Sequence, residues 1–247
     1  MQDRRKIILG VAMMCFVFLS FVYIMGGLFY AESLKVKARD GFCPQGTWAQ
    51  KRENITIPGH TAILVDTSNK ISAEDGEKAL RHITAWIRAL PFLQKISVYG
   101  LPPGEGVKPS LLGKPWCVPK QGKTANIVYE NPRLVETAFK GKFIGRISQI
   151  FNILLKQEEA DQSPIVETMV YLSDIDNVDS IWLVSDMLQH SSATSHYSGN
   201  GDMKLLCEKL KFNEIKIYYI DREIRQQSLA HRKIWKNCLA ESNIEWQ

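Results

Sequence analysis

From Ile7 to Tyr30 the chain runs for 24 residues without a charged side chain. As a helix rising about 1.5 Å per residue, the run extends roughly 36 Å, enough to cross a hydrocarbon core of about 30 Å with some tilt. A cleaved signal peptide has an apolar region of only about 7–15 residues that ends at small residues. Here the run is longer, and Phe29 spoils the small-residue pattern before Ala31. The expectation is one retained N-terminal transmembrane helix, residues 7–30, behind a tail of residues 1–6. Arg4, Arg5 and Lys6 precede the span and Lys35, Lys37 and Arg39 follow it, so positive charge alone gives a near tie. The short tail with three adjacent cations favours the cytoplasm, which places residues from about Glu32 onward outside it.

Cysteine usage bears on the same question. Cys15 lies inside the span, leaving Cys43, Cys117, Cys207 and Cys238. Cys43 and Cys117 both sit in loop-like settings, Phe42-Cys43-Pro44 and Trp116-Cys117-Val118-Pro119. In an oxidising compartment the four read as one or two disulfides, whereas in a cytosolic domain they would be free thiols. No C-x-x-C occurs and no histidine clusters near them, which argues against zinc. The net charge of +5 is modest and the basic residues are scattered among acids, so nucleic acid is not an indicated partner.

Beyond a polar connector, residues 31–59, strands alternate with amphipathic helices. A strand is expected at about His60–Val65, a helix at Ala73–Leu90 and a strand at Lys95–Leu101. Residues 102–125 hold five prolines and four glycines, a long loop that a Cys43–Cys117 disulfide would pin. Ala125–Tyr129 is expected as a short strand. Asn131-Pro132 then opens a helical region, which Gly141 and Gly145 are expected to bend. Ser163-Pro164 reads as an N-cap and first turn, followed by a strand at Asp179–Val184. A helix at Asp202–Leu210, a strand at Glu214–Ile220 and a helix at Gln226–Leu239 complete residues 60–247. This order predicts one α/β domain with a mostly parallel sheet flanked by helices.

Ligands of open α/β sheets sit outside the carboxyl ends of the strands. Two apolar strands end there in polar residues: Val65-Asp66-Thr67-Ser68 and Val184-Ser185-Asp186. With Ser163 they supply two carboxylates and two hydroxyls, hard oxygen donors of the kind that hold Mg²⁺, Mn²⁺ or Ca²⁺. There is no G-x-G-x-x-G, Walker loop or G-x-S-x-G. A Ser–His dyad drawn from Ser185, His190 and His196 is conceivable on sequence proximity, although loop histidines are usually solvated.

Asp66-Thr67-Ser68, Ser163-Pro164-Ile165 and Val184-Ser185-Asp186 resemble, in that order, the three parts of the metal-ion-dependent adhesion site of von Willebrand factor A domains. The chain also resembles membrane-anchored bacterial proteins with a Ser-Pro-Ile and a Ser-Asp-Met-Leu-Gln segment, here Ser163–Ile165 and Ser185–Gln189. The resemblance covers roughly residues 60–245. It implies a Rossmann-like domain that binds protein partners, with Asp66, Ser68, Ser163 and Asp186 as the metal ligands. The last serine of the family's Asp-x-Ser-x-Ser pattern is Lys70 here, with Ser72 two residues on. Three alternatives follow: Lys70 points outward, Ser72 takes the ligand role, or the Lys70 ammonium replaces the ion and pairs with Asp66 or Asp186.

The functional expectation is a single-pass protein of the bacterial inner membrane with a periplasmic interaction domain, recruiting another envelope component. Its cofactor is either a divalent cation or none. A membrane-tethered metal-dependent hydrolase and a purely structural subunit of a membrane machine are the alternatives. On the metal reading, Asp66→Ala is expected to abolish cation-dependent binding with little loss of fold.

Overall fold

A computed structural model describes residues 13–26, Cys43 and 57–247, apart from 102–105, 129, 158–159, 176–177, 196–202, 223, 225–226, 228 and 240–242. The expected span 7–30 lies partly outside these residues, and so does the connector except for Cys43 and 57–59. Residues 13–26 are helical (α1) and turn apolar side chains such as Phe16, Phe18 and Phe21 outward. Among the described residues, no helix is long and apolar enough to cross a membrane.

The rest is an α/β domain around one sheet. Its strands are β1 (His60–Val65), β2 (Lys95–Gly100), β3 (Ser110–Leu111), β4 (Trp116–Cys117), β5 (Ser180–Ser185), β6 (Glu214–Tyr219) and β7 (Asn243–Trp246). They run in the order β3-β2-β1-β5-β6-β7, with β4 also on β2. The five strands β2, β1, β5, β6 and β7 are parallel, and only β3 and β4 are antiparallel to their neighbour. A parallel sheet needs both faces covered, and β1 is buried along its whole length. Ile63 and Val65 join the core under helices α2 (Ala73–Ala89) and α4 (Gly145–Leu154). Ala62 and Leu64 join the core on the opposite face, which includes Ile165 and Met169 of α5 (Ile165–Ile175) and Trp235 of α7 (Leu229–Cys238). Trp182 and Trp235 are fully buried on opposite faces.

Helix α2 begins at Ser72, whose Oγ accepts from Asp75 N at 3.0 Å and donates to the Asp75 carboxylate at 2.6 Å. Ser72 is therefore an N-cap. Gly76 in its first turn lets Leu155 approach; a Cβ there would lie 2.4 Å from Leu155 Cδ1. Asn131 caps α3 (Pro132–Ala138), with proline in the first turn as expected. The two glycines do not produce a simple bend. Phe139–Ile144 forms a π-helical stretch containing Gly141 and joining α3 to α4. It keeps Phe139 and Phe143 in the core.

Three local expectations are corrected. Residues 125–128 are not a strand: Val128 N donates to Asn126 Oδ1 and Glu130 N to Asn126 O, which closes a turn. The short strands fall earlier, at β3 and β4, inside the segment expected to be all loop. Ser163 does not cap α5: Val166 N donates to Gln189 Oε1 at 3.0 Å, and Ser163 Oγ donates to Asp66 instead. Both disulfides form: Cys43–Cys117 joins the connector to β4, and Cys207–Cys238 joins α6 (Met203–Cys207) to α7. β7, absent from the sequence reading, extends the parallel sheet beyond β6.

Candidate functional site

The chain leaves β1 toward β2 on one side, while β5 flanks β1 on the other. The crevice outside the carboxyl ends of β1 and β5 is thus a topological switch point, where such sheets bind ligands. Asp66 follows β1 and Asp186 follows β5, and Asp66 N donates to Val184 O at 2.9 Å, tying the two ends together. Both aspartates are buried, as are Ser68, Ser163 and Ser185.

Asp66 is the hub. Its Oδ1 accepts from Ser68 N at 3.0 Å and Ser68 Oγ at 2.6 Å. Its Oδ2 accepts from Ser163 Oγ at 3.1 Å and Ser185 Oγ at 2.7 Å. Three of the four expected ligands therefore converge directly: Asp66, Ser68 and Ser163. Burial, and then the negative charge of Asp186, push the Asp66 carboxyl above its ordinary range, while the serine donors pull against that rise.

Asp186 joins them through a different partner. Its Oδ1 accepts from Leu188 N at 3.0 Å. Its Oδ2 accepts from Asn69 Nδ2 at 3.3 Å and from Arg222 Nε at 2.5 Å. Arg222 Nη1 continues to Lys70 O at 3.0 Å, so one guanidinium links the loop after β6 to the loop after β1. Gln227 holds that loop in place by accepting from Arg222 N and donating to the carbonyls of Asp186 and Ile220.

The cation at this site is thus Arg222. Lys70 contributes its carbonyl and is exposed, and Ser72 is committed to capping α2. Ser185, expected only as a conceivable dyad member and not as part of the metal site, is a direct partner of Asp66. Arg222 had a usable signal: Asp221-Arg222 follows β6, the strand next to β5, at the same carboxyl end.

Met187, directly after Asp186, has a φ of 61°, a left-handed conformation uncommon for a non-glycine residue. Neighbours over-determine it. Its N–H donates to Ser185 Oγ at 2.7 Å, and its carbonyl accepts from Trp235 Nε1 at 2.7 Å and His231 Nε2 at 2.8 Å. Desolvation lowers the His231 pKa. The conceivable Ser–His pair does not involve Ser185, which is held by Asp66. His190 Nδ1 instead lies 2.8 Å from Ser195 Oγ, and His196 is outside the described residues.

The donor set decides how well a divalent ion fits. Every carboxylate oxygen of Asp66 and Asp186 already accepts at least one hydrogen bond, and a guanidinium sits on Asp186 Oδ2. All three serine hydroxyls donate inward to Asp66. A cation at Asp186 Oδ2 would compete with Arg222 there, whereas the serine oxygens keep their lone pairs while their hydrogens point to Asp66. Among the described residues, no group of three or more His, Cys, Asp or Glu side chains is placed to hold a metal.

The mostly parallel sheet and its flanking helices are compatible with a von Willebrand A-like domain. No family model matches the chain, and no curated protein matches it in sequence.

Proposed function

We propose that this chain is a membrane-anchored, von Willebrand A-like interaction module that recruits a protein partner at the bacterial cell envelope through the carboxyl end of its sheet, without requiring a divalent cation. The observation that carries this reading is the convergence of Asp66, Ser68, Ser163, Ser185 and Asp186 with Arg222 at one switch point. The two disulfides favour an oxidising, extracytoplasmic compartment. The outward apolar face of α1 within the uncharged run 7–30 supports an anchor. A hydrolase would need a metal-bound water at the same carboxylates, one oxygen of which is already held by Arg222.

The test is a photo-crosslinking amino acid at Lys70, exposed beside Arg222, introduced into the full chain in cells. The expected result is one discrete protein adduct that persists in EDTA-treated membranes and is lost with Arg222→Gln. An adduct lost in EDTA would restore the metal reading. Absence of any adduct, or an adduct indifferent to Arg222→Gln, would remove this end of the sheet as the contact.

A further inference from the structure

The opposite, amino end of the sheet carries a second surface. Cys117 lies in β4, opposite Lys95 at the start of β2, and the segment after it returns along this end of the domain. Gln121 Nε2 and Lys123 Nζ both donate to the carbonyl of Arg88, in the last turn of α2. Next to them Ile127, Val128 and Leu134 are 83%, 78% and 67% exposed, unusually open for large apolar side chains. Arg88, Lys123, Arg133 and Glu136 line a groove of about 520 Å³ in the same segment. Arg88 is paired with Glu136 at 2.8 Å. Lys123 and Arg133 make no ion pair among the described residues.

The connector limits where this surface can be. Cys43 is bonded to Cys117, so it is pinned at the amino end of the sheet. Twelve residues, 31–42, lie between Tyr30, where the expected span ends, and Cys43. Even fully extended they reach at most about 45 Å, so an anchored chain keeps this end within that distance of the bilayer. Apolar tips bordered by cations without an ion pair among the described residues match the chemistry of a membrane surface, where side chains enter the acyl boundary and Lys or Arg meet anionic headgroups.

We propose that Ile127, Val128 and Leu134, with Lys123 and Arg133, form a second membrane contact that seats the amino end of the domain on anionic lipid. This fixes the domain's orientation and turns the Asp66–Arg222 end away from the bilayer toward its partner. The proposal rests on the anchoring part of the reading above and not on what the carboxyl end binds.

The test uses the full chain with Cys15→Ser, reconstituted in nanodiscs with or without anionic phosphatidylglycerol. An environment-sensitive fluorophore is placed at Ile127→Cys. The control is Ile153→Cys on α4, also an exposed apolar position, beside Leu154, which packs at Gly100 on the carboxyl end of β2. Expected is a blue-shifted fluorophore at 127, quenched by spin-labelled lipid in the anionic discs, while the one at 153 reports water. Each cation at an anionic surface is worth roughly fivefold in partitioning, so Lys123→Glu/Arg133→Glu and high salt should both cut the quenching severalfold. A fluorophore at 127 as open to aqueous quencher as that at 153 overturns the proposal. Position 127 shielded from water but untouched by lipid quencher does so too, because a protein then covers it. A chain that does not stay with the disc overturns the anchor as well, a separable failure read from co-elution.

Discussion

The two ends of the sheet handle charge and apolar surface in opposite ways. At the carboxyl end, two carboxylates are buried and compensated from within by three serines, an asparagine and Arg222. At the amino end, large apolar side chains and two cations without ion pairs among the described residues stand in solvent, and a disulfide fixes the segment. A buried charge survives only when the fold supplies its counter-charge and hydrogen bonds. An exposed apolar patch persists where something outside the domain covers it. The first end is thus organised by the protein itself, and the second is left for its surroundings.

The largest expected effect is at the amino end. The Cys43–Cys117 bond closes a loop spanning 74 positions, for which the chain-entropy account gives about 4 kcal/mol. Cys43→Ser/Cys117→Ser should lower stability by up to that amount in urea unfolding, while leaving Lys70 crosslinking in membranes intact. Loss of crosslinking in a folded variant would show that the two ends are not independent.

At the carboxyl end, Arg222→Gln strands the buried Asp186 charge, and removing one partner of a buried pair typically costs roughly 3–5 kcal/mol. Arg222 retains some exposure, so the low end of that range is expected. Asp186→Asn added to Arg222→Gln should recover part of the loss, as measured by urea midpoints. Asp66→Ala is not the clean probe that the metal reading made it, since it leaves three buried serine hydroxyls without their acceptor. If the guanidinium takes the place of an ion, the parent chain should leave the Mn²⁺ paramagnetic signal unchanged. Uptake by the parent that depends on Asp66 would break the contrast.

The smallest effect is in pH. Burial and Asp186 raise the Asp66 carboxyl above its unfolded range, so the folded state holds its proton more tightly. The stabilisation is complete below the unfolded carboxylate range and is lost as pH rises through the raised folded value. Urea midpoints followed upward from about pH 4 should therefore show a falling contribution. That slope should shrink in Asp186→Asn/Arg222→Gln, which removes the neighbouring carboxylate. An unchanged slope would assign it to other groups.

Much of the fold was legible because apolar runs ended sharply. Val65-Asp66 and Val184-Ser185-Asp186 mark strand ends, and the parallel order brings those ends together. Ser163 was legible as a polar residue beside the cluster, but its role was not. Ser-Pro before an apolar helix has the same pattern whether the hydroxyl caps the helix or reaches Asp66. The structure chose the second, with Gln189 taking over the cap. The substitution at Lys70 was visible too, yet the cation at the site comes from 152 residues away.

By itself the sequence determined the α/β alternation, the residues that end the central strands, the cysteines available for bridging and the uncharged run at the front. Each of these is local, set by hydrophobic period, turn chemistry and composition. Only the tertiary structure decided that Arg222 occupies the charge position, that Ser185 joins Asp66, and that Ile127 and Val128 stand exposed on a turn. Those outcomes depend on which strands lie side by side and on which groups burial leaves to compensate one another, and neither is encoded in local spacing.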